Sequence, residues 1–284
     1  MPGEARMVNA MTVDVEDYFQ VSAFDHVVKR DAWPGMESRV VANTERLLRL
    51  FDEFDVRGTF FVLGWVAERH PSLVRKIVAR GHELASHGYG HRLVYSQTPD
   101  EFRNDVRRAK RLLEDAGGVE VRGYRAPSFS VTSRSLWALD VLLAEQYRYD
   151  ASIFPIRHDR YGIPDAPRWP HAIDRPAGRV YEVPGSTVRF GGTNLPVAGG
   201  GYFRVLPYAW TRFGISRVNR MERQPVVFYL HPWEIDPDQP RLPAGVLSRF
   251  RHYRNLHQTE NRLRRLMSDF QFAPLASVLP GCAA

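Results

Sequence analysis

The sequence contains few cysteines, few lysines and no long hydrophobic run. Its one cysteine, Cys282, lies close to the C-terminus, which excludes an intrachain disulfide and a metal site built from cysteines. No stretch approaches the roughly 18 consecutive apolar residues that a transmembrane helix needs. The N-terminus also has no apolar run of signal-peptide length. We therefore expect a protein without a transmembrane segment that is cytoplasmic, with export by a route other than a recognisable signal peptide as the alternative.

The remaining composition is that of an ordinary globular protein. The chain has 284 residues, of which 44% are hydrophobic and 25% charged, enough for one large α/β domain or two small ones. The net charge of +7 comes almost wholly from arginine, since lysine occurs only at Lys29, Lys76 and Lys110. No uninterrupted basic run or base-reading motif accompanies this charge, so we expect no nucleic-acid partner. The sequence does not specify the oligomeric state.

Short apolar segments alternate with amphipathic segments in the first half of the chain. Apolar segments bounded by turn residues predict buried strands, and apolar residues at helical spacing predict helices that cover them. This alternation predicts a (β/α) barrel or an open doubly wound sheet. The predicted strands span residues 8–15, 59–63, 83–86, 119–124 and 147–152, and the predicted helices span 37–54, 71–80, 99–116 and 133–146.

The pattern changes after residue 153. Residues 154–201 are rich in proline and glycine, which predicts a long excursion over one face with a strand or hairpin at 180–188. A helix at 207–223, a strand at 225–230 and one or two basic amphipathic helices at 243–267 follow. We expect a single domain over residues 1–284, with a core at about 8–235 and a C-terminal helical extension at about 236–284 packed on it. Aromatic residues of the excursion that could form platforms for sugars, or ordinary core, are Trp169, Tyr181, Phe190, Tyr202 and Phe203.

Two histidines in the segment GHELASHGYGH are candidate metal ligands. His87 and His91 are four residues apart, and the glycines between them allow a tight loop that brings both rings to one side. Neutral imidazole is a common ligand of transition metals. A catalytic zinc site usually has three protein ligands and a position for water, so a carboxylate is expected from elsewhere in the chain.

Further polar residues follow the predicted strands at their C-terminal ends. In a barrel of parallel strands these ends lie on one face, where such folds place their chemistry. Two histidines, carboxylates, an arginine and a third histidine together are the components of metal-assisted hydrolysis. The residues concerned are Asp14, Glu16, Asp17, His87, His91, Arg125, Asp150 and His231.

These residues lie in motifs that resemble those of the NodB-homology polysaccharide deacetylases, carbohydrate esterase family 4. The motifs are TVDVED, SHGYGH, GYRAPSF and FYLH. Four segments are similar to sequences of one branch of this family, which is found in bacterial exopolysaccharide loci that also encode exosortase and PEP-CTERM systems. These segments are TVDVEDYFQVSAF, YDASIFP, GGGYFR and LHPWE. The resemblance covers about residues 8–275. It implies a deformed (β/α) barrel that removes N-acetyl groups from amino sugars with a divalent metal, typically zinc.

The resemblance also implies roles for individual residues. Asp14 resembles the general base, and Arg125 the residue that orients it. His231 resembles the general acid that protonates the departing amine, and Asp150 is a candidate for tuning that histidine. The implied metal ligands are His87 and His91 together with Glu16 or Asp17, and the residues expected beside the substrate are Pro127, Ser128 and Trp233, with the backbone N–H of Ser128 as a candidate oxyanion donor.

The sequence departs from the family pattern at three positions. Family members usually have two adjacent aspartates in the first motif, the second of which binds metal, and here that partner is displaced. If the segment stays extended, Glu16 lies on the same side as Asp14, whereas a turn at Val15 would bring Asp17 to the metal instead. We favour Glu16. Gly88 replaces the Ser or Thr that follows the first histidine, and Ser128 replaces an aromatic residue.

The expected function is metal-dependent N-deacetylation of a polysaccharide or oligosaccharide during exopolysaccharide biosynthesis. One alternative is a hydrolase of a small cyclic or linear amide on the same barrel. Another is a catalytically silent carbohydrate-binding relative. The joint presence of the base, both histidines, Arg125 and His231 argues against the silent relative.

Overall fold

A computed structural model describes residues 7–279 and residue 282. A curved sheet of nine strands forms its centre, and a two-stranded sheet lies beside it. The strands are β1 (Val8–Val15), β2 (Thr59–Val62), β3 (Glu83–Ser86), β4 (Gly123–Tyr124), β5 (Tyr149–Asp150), β6 (His171–Arg175), β7 (Gly178–Glu182), β8 (Thr187–Phe190), β9 (Thr193–Pro196), β10 (Val227–Leu230) and β11 (Gln271–Ala273).

Helices cover this sheet between successive strands. They are α1 (Val40–Glu53), α2 (Gly64–Arg69), α3 (Pro71–Ala79), α4 (Pro99–Gly117), α5 (Trp137–Ala144), α6 (Gly200–Val205), α7 (Tyr208–Arg217), α8 (Val246–Tyr253), α9 (Leu256–Asp269) and α10 (Leu275–Val278). The longest, α4, begins with a capping box between Thr98 and Glu101 and ends at Gly118 in the left-handed conformation.

The large sheet is parallel except at one edge. Its order is β10, β1, β2, β3, β4, β5, β7, β6, and β11 pairs with β1 as well. Only β6 and β7 pair in antiparallel fashion, through a hairpin. Parallel strands separated by helices bring the C-terminal ends of β1, β3, β4, β5 and β10 to one face, as the alternation in the sequence predicts. The expected α/β class, a deformed (β/α) barrel, is confirmed.

The C-terminal part of the chain packs directly on the first strand. β11 pairs with β1 between Val8 and Ala10, and buried residues of α9 such as Leu263 belong to the same core cluster as Met11 of β1. No helix among residues 7–279 and 282 combines the length and apolar character needed to cross a membrane.

Several elements are shorter than, or displaced from, the ranges that the sequence predicts. Strands β4 and β5 have two residues each, because most of residues 119–122 and 151–152 run as connections into and out of the sheet. Helix α5 begins only at Trp137, since the backbone N–H of Thr132 and the hydroxyl of Ser135 close a turn ahead of it. In place of the single strand or hairpin expected at 180–188, the chain forms two hairpins, β6–β7 and β8–β9.

Candidate active site

The first strand supplies the carboxylate at the centre of the site. Side chains of a strand alternate between faces, so Thr12 and Asp14 lie on the same face of β1, and Glu16 continues this face just beyond the strand. The buried guanidinium of Arg125, which follows β4, donates from Nη1 to Oγ1 of Thr12 at 2.8 Å and to Oδ1 of Asp14 at 2.7 Å. Its Nε donates to the carbonyl oxygen of Ala151 at 3.2 Å. Asp14 is therefore held in one orientation.

Glu16 lies against the two histidines of the GHELASHGYGH segment. Its Oε2 atom is 2.7 Å from Nε2 of His91 and 3.9 Å from Nε2 of His87. All three side chains are almost completely buried. Among the residues that the structure describes, these three form the one group of His, Cys, Asp or Glu side chains whose ligand atoms lie within 4.8 Å of one another.

The chemistry of this group fits a divalent transition metal. Oε1 of Glu16 accepts a hydrogen bond from Nε1 of Trp233 at 3.2 Å, and Oε2 accepts none from a described residue. Nδ1 of His87 is 2.8 Å from the carbonyl oxygen of Arg125. When Nδ1 donates a hydrogen bond to that oxygen, Nε2 keeps a lone pair with which it can bind a metal. One carboxylate oxygen and two imidazole nitrogens facing one point are a usual donor set for catalytic zinc.

Charge in the site follows from the same contacts. Burial raises the pKa of Glu16, but the neighbouring histidines lower it by more, so that the resulting pKa is about 2. Burial lowers the pKa of His87 to about 4, against the opposing effect of Asp14 and Glu16. Glu16 is thus ionised and His87 neutral at neutral pH, which are the protonation states that metal binding requires.

The loop between the two histidines is shaped by Asp105 of α4, which sequence reasoning did not single out. Its carboxylate accepts hydrogen bonds from the backbone N–H of Tyr89 at 2.7 Å and of Gly90 at 3.2 Å. Gly88 has a φ of +73°, and a Cβ there would lie 2.7 Å from Oδ2 of Asp105. The glycine that departs from the family pattern therefore makes room for the carboxylate that holds the loop.

His231, which follows β10, completes the group on the side of Asp14. Its Nε2 atom is 3.9 Å from Oδ2 of Asp14 and 3.7 Å from Oε1 of Glu16. Its Nδ1 atom is 3.3 Å from Oε1 of Glu234, a fully buried residue. Burial lowers the pKa of His231, but Glu234, Glu16 and Asp14 together raise it to about 9. The imidazole is therefore protonated at neutral pH.

Glu234 in turn is paired with Arg204 of α6, and neither was among the predicted site residues. Nε of Arg204 lies 3.2 Å from Oε1 of Glu234, and both side chains are buried. The position of Glu234, three residues after His231, was a readable signal, whereas its pairing with Arg204 depends on tertiary structure. Burial raises the pKa of Glu234, but Arg204 and His231 lower it overall.

Asp150 is not the partner of His231 that we expected. The carboxylate in contact with the His231 ring is Glu234, while Asp150 accepts a hydrogen bond from Oγ of Ser152. Burial raises the pKa of Asp150 to about 6 despite its hydrogen bonds, and it raises that of the neighbouring Glu182 well above its ordinary value. The two buried carboxyl groups thus form a separate pair.

Asp17 lies away from the two histidines. Its Oδ2 atom accepts hydrogen bonds from Oγ of Ser38 at 2.8 Å and from the backbone N–H groups of Arg39 and Val40 at 2.9 and 3.1 Å. Asp17 therefore satisfies donors at the N-terminus of α1, as a capping residue would. Of the two alternatives for the third metal ligand, the structure brings Glu16 to the histidines.

The site opens into a cavity of about 210 Å³. Larger cavities exist on the described surface, including one of about 630 Å³ beside Tyr147, but Glu16, His87 and His91 do not line that cavity. Four aromatic rings line the cavity, and the five aromatics expected from the excursion do not. The lining rings are Phe129, Tyr161, Tyr229 and Trp233, and the expected ones were Trp169, Tyr181, Phe190, Tyr202 and Phe203.

The residues expected beside the substrate lie in and next to this cavity. Ser128 lines it with a φ of +52°, a left-handed conformation uncommon for residues other than glycine. Its hydroxyl is 2.9 Å from that of Ser22, and the preceding Pro127 is buried. Trp233 stacks on the ring of His231 with centroids 5.1 Å apart and on that of His252 at 4.0 Å.

Two family models match successive parts of the chain. Residues 24–146 match the family described as polysaccharide deacetylase, and residues 151–280 match a domain of unknown function, DUF3473. The first match contains the two histidines and Arg125, and the second contains His231 and Glu234. Over residues 24–146 the chain is therefore similar to the polysaccharide deacetylases.

Curated relatives align over part of the chain. It is 30% identical over 98 residues to a peptidoglycan-N-acetylglucosamine deacetylase of Bacillus cereus, covering 34% of this chain and 36% of the relative. It is 33% identical over 100 residues to a chitooligosaccharide deacetylase of Bradyrhizobium sp., covering 35% of this chain and 43% of the relative. The aligned part thus spans less than half the length of either relative.

Solved structures share the whole fold at low identity. A protein from Mycobacterium smegmatis assigned as a polysaccharide deacetylase has a TM-score of 0.63 and 21% identity, covering 100% of this chain and 92% of that one. The Puue allantoinase has a TM-score of 0.63 and 15% identity, covering 99% and 91%. Both likenesses concern the fold.

Proposed function

We propose that this protein is a metal-dependent N-deacetylase that acts on amino sugars of a bacterial exopolysaccharide. One observation carries the proposal. A carboxylate fixed by an arginine, Asp14, lies beside the buried group of Glu16, His87 and His91, and the imidazole of His231 lies 3.9 Å from the same carboxylate. This arrangement supplies a base, a metal site and an acid around one point.

Glu16, His87 and His91 would hold a divalent metal, for which zinc is the best match to the donor set. When bound there, the metal supplies Lewis acidity toward the acetamide carbonyl group and a water molecule for its hydrolysis. The hydrogen bond from Trp233 to Oε1 of Glu16 directs the other carboxylate oxygen toward the histidines. Trp233 therefore acts on this site by orienting a ligand.

Asp14 is the proposed general base that takes the proton of the attacking water. Its Oδ1 atom is occupied by the hydrogen bond from Arg125, which leaves Oδ2 for this proton. Arg125 also makes hydrogen bonds to Thr12 and Ala151, so its position does not depend on Asp14 alone. A base that is fixed in advance loses little entropy when it reacts.

His231 is the proposed general acid that gives a proton to the departing amine nitrogen. Its Nδ1 atom is held by Glu234, so Nε2 is the atom that points toward Asp14 and Glu16 and carries the transferable proton. The raised pKa of His231 keeps this proton in place at neutral pH. The backbone N–H of Ser128 is the candidate donor to the oxyanion.

The proposed substrate is a saccharide chain with N-acetylated units. The aromatic residues of the cavity lining provide apolar surface against which a sugar ring can lie. The relatives from Bacillus cereus and Bradyrhizobium are named for peptidoglycan N-acetylglucosamine and chitooligosaccharides, which are N-acetylated saccharides. The motifs shared with the exosortase-associated branch support an exopolysaccharide. We also propose that residues 1–284 act as a single catalytic domain.

Acetate release tests this function. The protein is stripped with a chelator, restored with zinc, and incubated with N-acetylglucosamine oligomers of increasing length and, separately, with small cyclic and linear amides. We expect zinc-dependent acetate release that increases with oligomer length. Hydrolysis of the small amides alone would contradict the proposal in favour of the small-amide alternative. Binding of oligomers without release of acetate would favour a silent carbohydrate-binding protein.

A further inference from the structure

The rim of the active-site cavity carries positive charge that the proposed reaction does not use. Besides the proposed catalytic and metal-binding residues, the cavity lining includes Arg160, Arg251 and His158. Within the part of the chain that the structure describes, the guanidinium groups of Arg160 and Arg251 have no carboxylate within 4.0 Å. The carboxylates that line the cavity are those of Asp14, which is paired with Arg125, and Glu16, which lies against His91.

The two arginines line the same cavity although they are distant in sequence, and His158 lines it as well. Burial lowers the pKa of His158 and Asp159 opposes this effect, while the positive charges of Arg251 and Arg160 also lower it. The ring of His158 stacks on that of Tyr161 with centroids 3.9 Å apart. A saccharide bound in this cavity would therefore have the two arginine side chains in the same lining.

The main chain that carries Arg251 is fixed by the same buried arginine that holds Glu234. Nη2 of Arg204 donates to the carbonyl oxygen of Arg251 at 2.9 Å, and Nη1 donates to that of His252 at 2.7 Å. The C-terminal end of α8 is thereby tied to the active site. On the other side, the backbone N–H of Arg160 donates to Nδ1 of His158 at 3.2 Å.

We propose that Arg160 and Arg251 form a subsite for an anionic group of the saccharide substrate, a carboxylate or a phosphate. Guanidinium groups recognise both through paired, charge-assisted hydrogen bonds. Two cations at the rim repel one another, and a bound anion removes this repulsion. The inference rests on the proposed function for the N-acetyl group and adds that the substrate carries negative charge near the reacting sugar.

Binding selectivity tests the subsite without turnover. Calorimetry on the zinc-restored protein compares an N-acetylglucosamine tetrasaccharide, which is neutral, with a hyaluronan tetrasaccharide, which carries carboxylates, and an N-acetylglucosamine oligomer with a terminal phosphate. We expect at least one anionic ligand to bind about tenfold more tightly than the neutral one. Preference for hyaluronan identifies a carboxylate, and preference for the phosphorylated oligomer identifies a phosphate.

The variants assign that preference to the two arginines. The double variant Arg160→Gln/Arg251→Gln should lose the preference for the anionic ligand, whereas Arg249→Gln on the exposed side of α8 should keep it. Equal or weaker binding of both anionic ligands by the unaltered protein, or a preference that persists in the double variant, would overturn the subsite. Absence of acetate release from every oligomer would instead contradict the proposed function. The two failures can be told apart, because the binding comparison does not depend on turnover.

Discussion

Nδ1 of His231 lies 3.3 Å from Oε1 of Glu234, and this contact determines which ring nitrogen faces the catalytic group. Glu234 is fully buried and is paired with Arg204 rather than with solvent. A buried carboxylate in this position stabilises the imidazolium form, which is the form that a general acid needs. Glu234 thus contributes to the acid strength of His231 through the ring nitrogen on the side away from Asp14 and Glu16.

Replacing Glu234 should change the pH dependence of the reaction. Because Glu234 is one of three carboxylates that together raise the pKa of His231 to about 9, Glu234→Gln should lower that pKa and move the alkaline limb of the rate profile toward neutral pH. Acetate release measured from pH 6 to pH 10 checks this. A variant that loses activity equally at every pH would contradict the assignment. Glu37→Gln, a change at an exposed surface residue, serves as the control.

Substitution of the two neighbouring acids should separate metal binding from folding. Glu16→Gln should reduce zinc affinity by more than about 100-fold, because it removes a proposed ligand. Asp17→Asn should keep the metal and instead lower the free energy of unfolding by about 1 kcal/mol, since Asp17 caps the N-terminus of α1. Zinc stoichiometry and thermal unfolding of both variants measure the two effects. The reverse order of zinc loss would transfer the ligand role to Asp17.

Asp105 should affect the metal without touching it. Asp105→Asn removes the charge that holds the backbone of Tyr89 and Gly90, so the loop bearing His91 loses its support. We expect zinc affinity to fall about 10-fold or more, a typical effect of residues that orient ligands. Asp115→Asn on the exposed part of the same helix is the matched control. Unchanged zinc affinity in Asp105→Asn would show that the loop keeps its shape unaided.

The pair of Asp150 and Glu182 should make stability depend on pH. Burial raises the pKa of Asp150 from 3.8 to about 6, so the native state binds this proton more tightly than the unfolded state does. The contribution of Asp150 to stability is therefore full below about pH 4 and is lost as the pH rises through about 6.

Asp150→Asn cannot ionise and should escape this loss. The difference in the free energy of unfolding between variant and unaltered protein should shift by about 1–3 kcal/mol in favour of the variant between pH 4 and pH 8. Thermal unfolding across this range, with the exposed Asp174→Asn as a control, gives the measurement. Parallel pH dependence of Asp150→Asn and the unaltered protein would mean that the buried carboxyl does not titrate in this range.

Local patterning in the sequence predicted much of the site. The alternation of strands and helices predicts parallel strands, because a helix between two strands returns the chain to the start of the sheet. Asp14, His87, Arg125 and His231 follow such strands and therefore lie at the same end of the sheet. The period of two along β1 also brings Glu16 to the side of Asp14. The roles assigned to these residues, and the expected cytoplasmic location, stay predictions.

Contacts between distant segments could not be read in the same way. Asp105 reaches the histidine loop because α4 packs beside β3, and Arg204 reaches Glu234 because α6 packs against the end of β10. Asp17 was a plausible ligand by spacing alone, but the start of α1 takes its carboxylate. The cavity aromatics come from several segments, so composition of the long excursion did not identify them.

The most direct test of the account is the behaviour of Asp14→Asn. The account assigns Asp14 to proton transfer and Glu16, His87 and His91 to the metal. The variant should therefore retain zinc at the stoichiometry of the unaltered protein and release acetate from N-acetylglucosamine oligomers at least about 100-fold more slowly. Zinc content and acetate release are measured on the same preparation. Loss of zinc from the variant, or acetate release at the unaltered rate, would contradict the account.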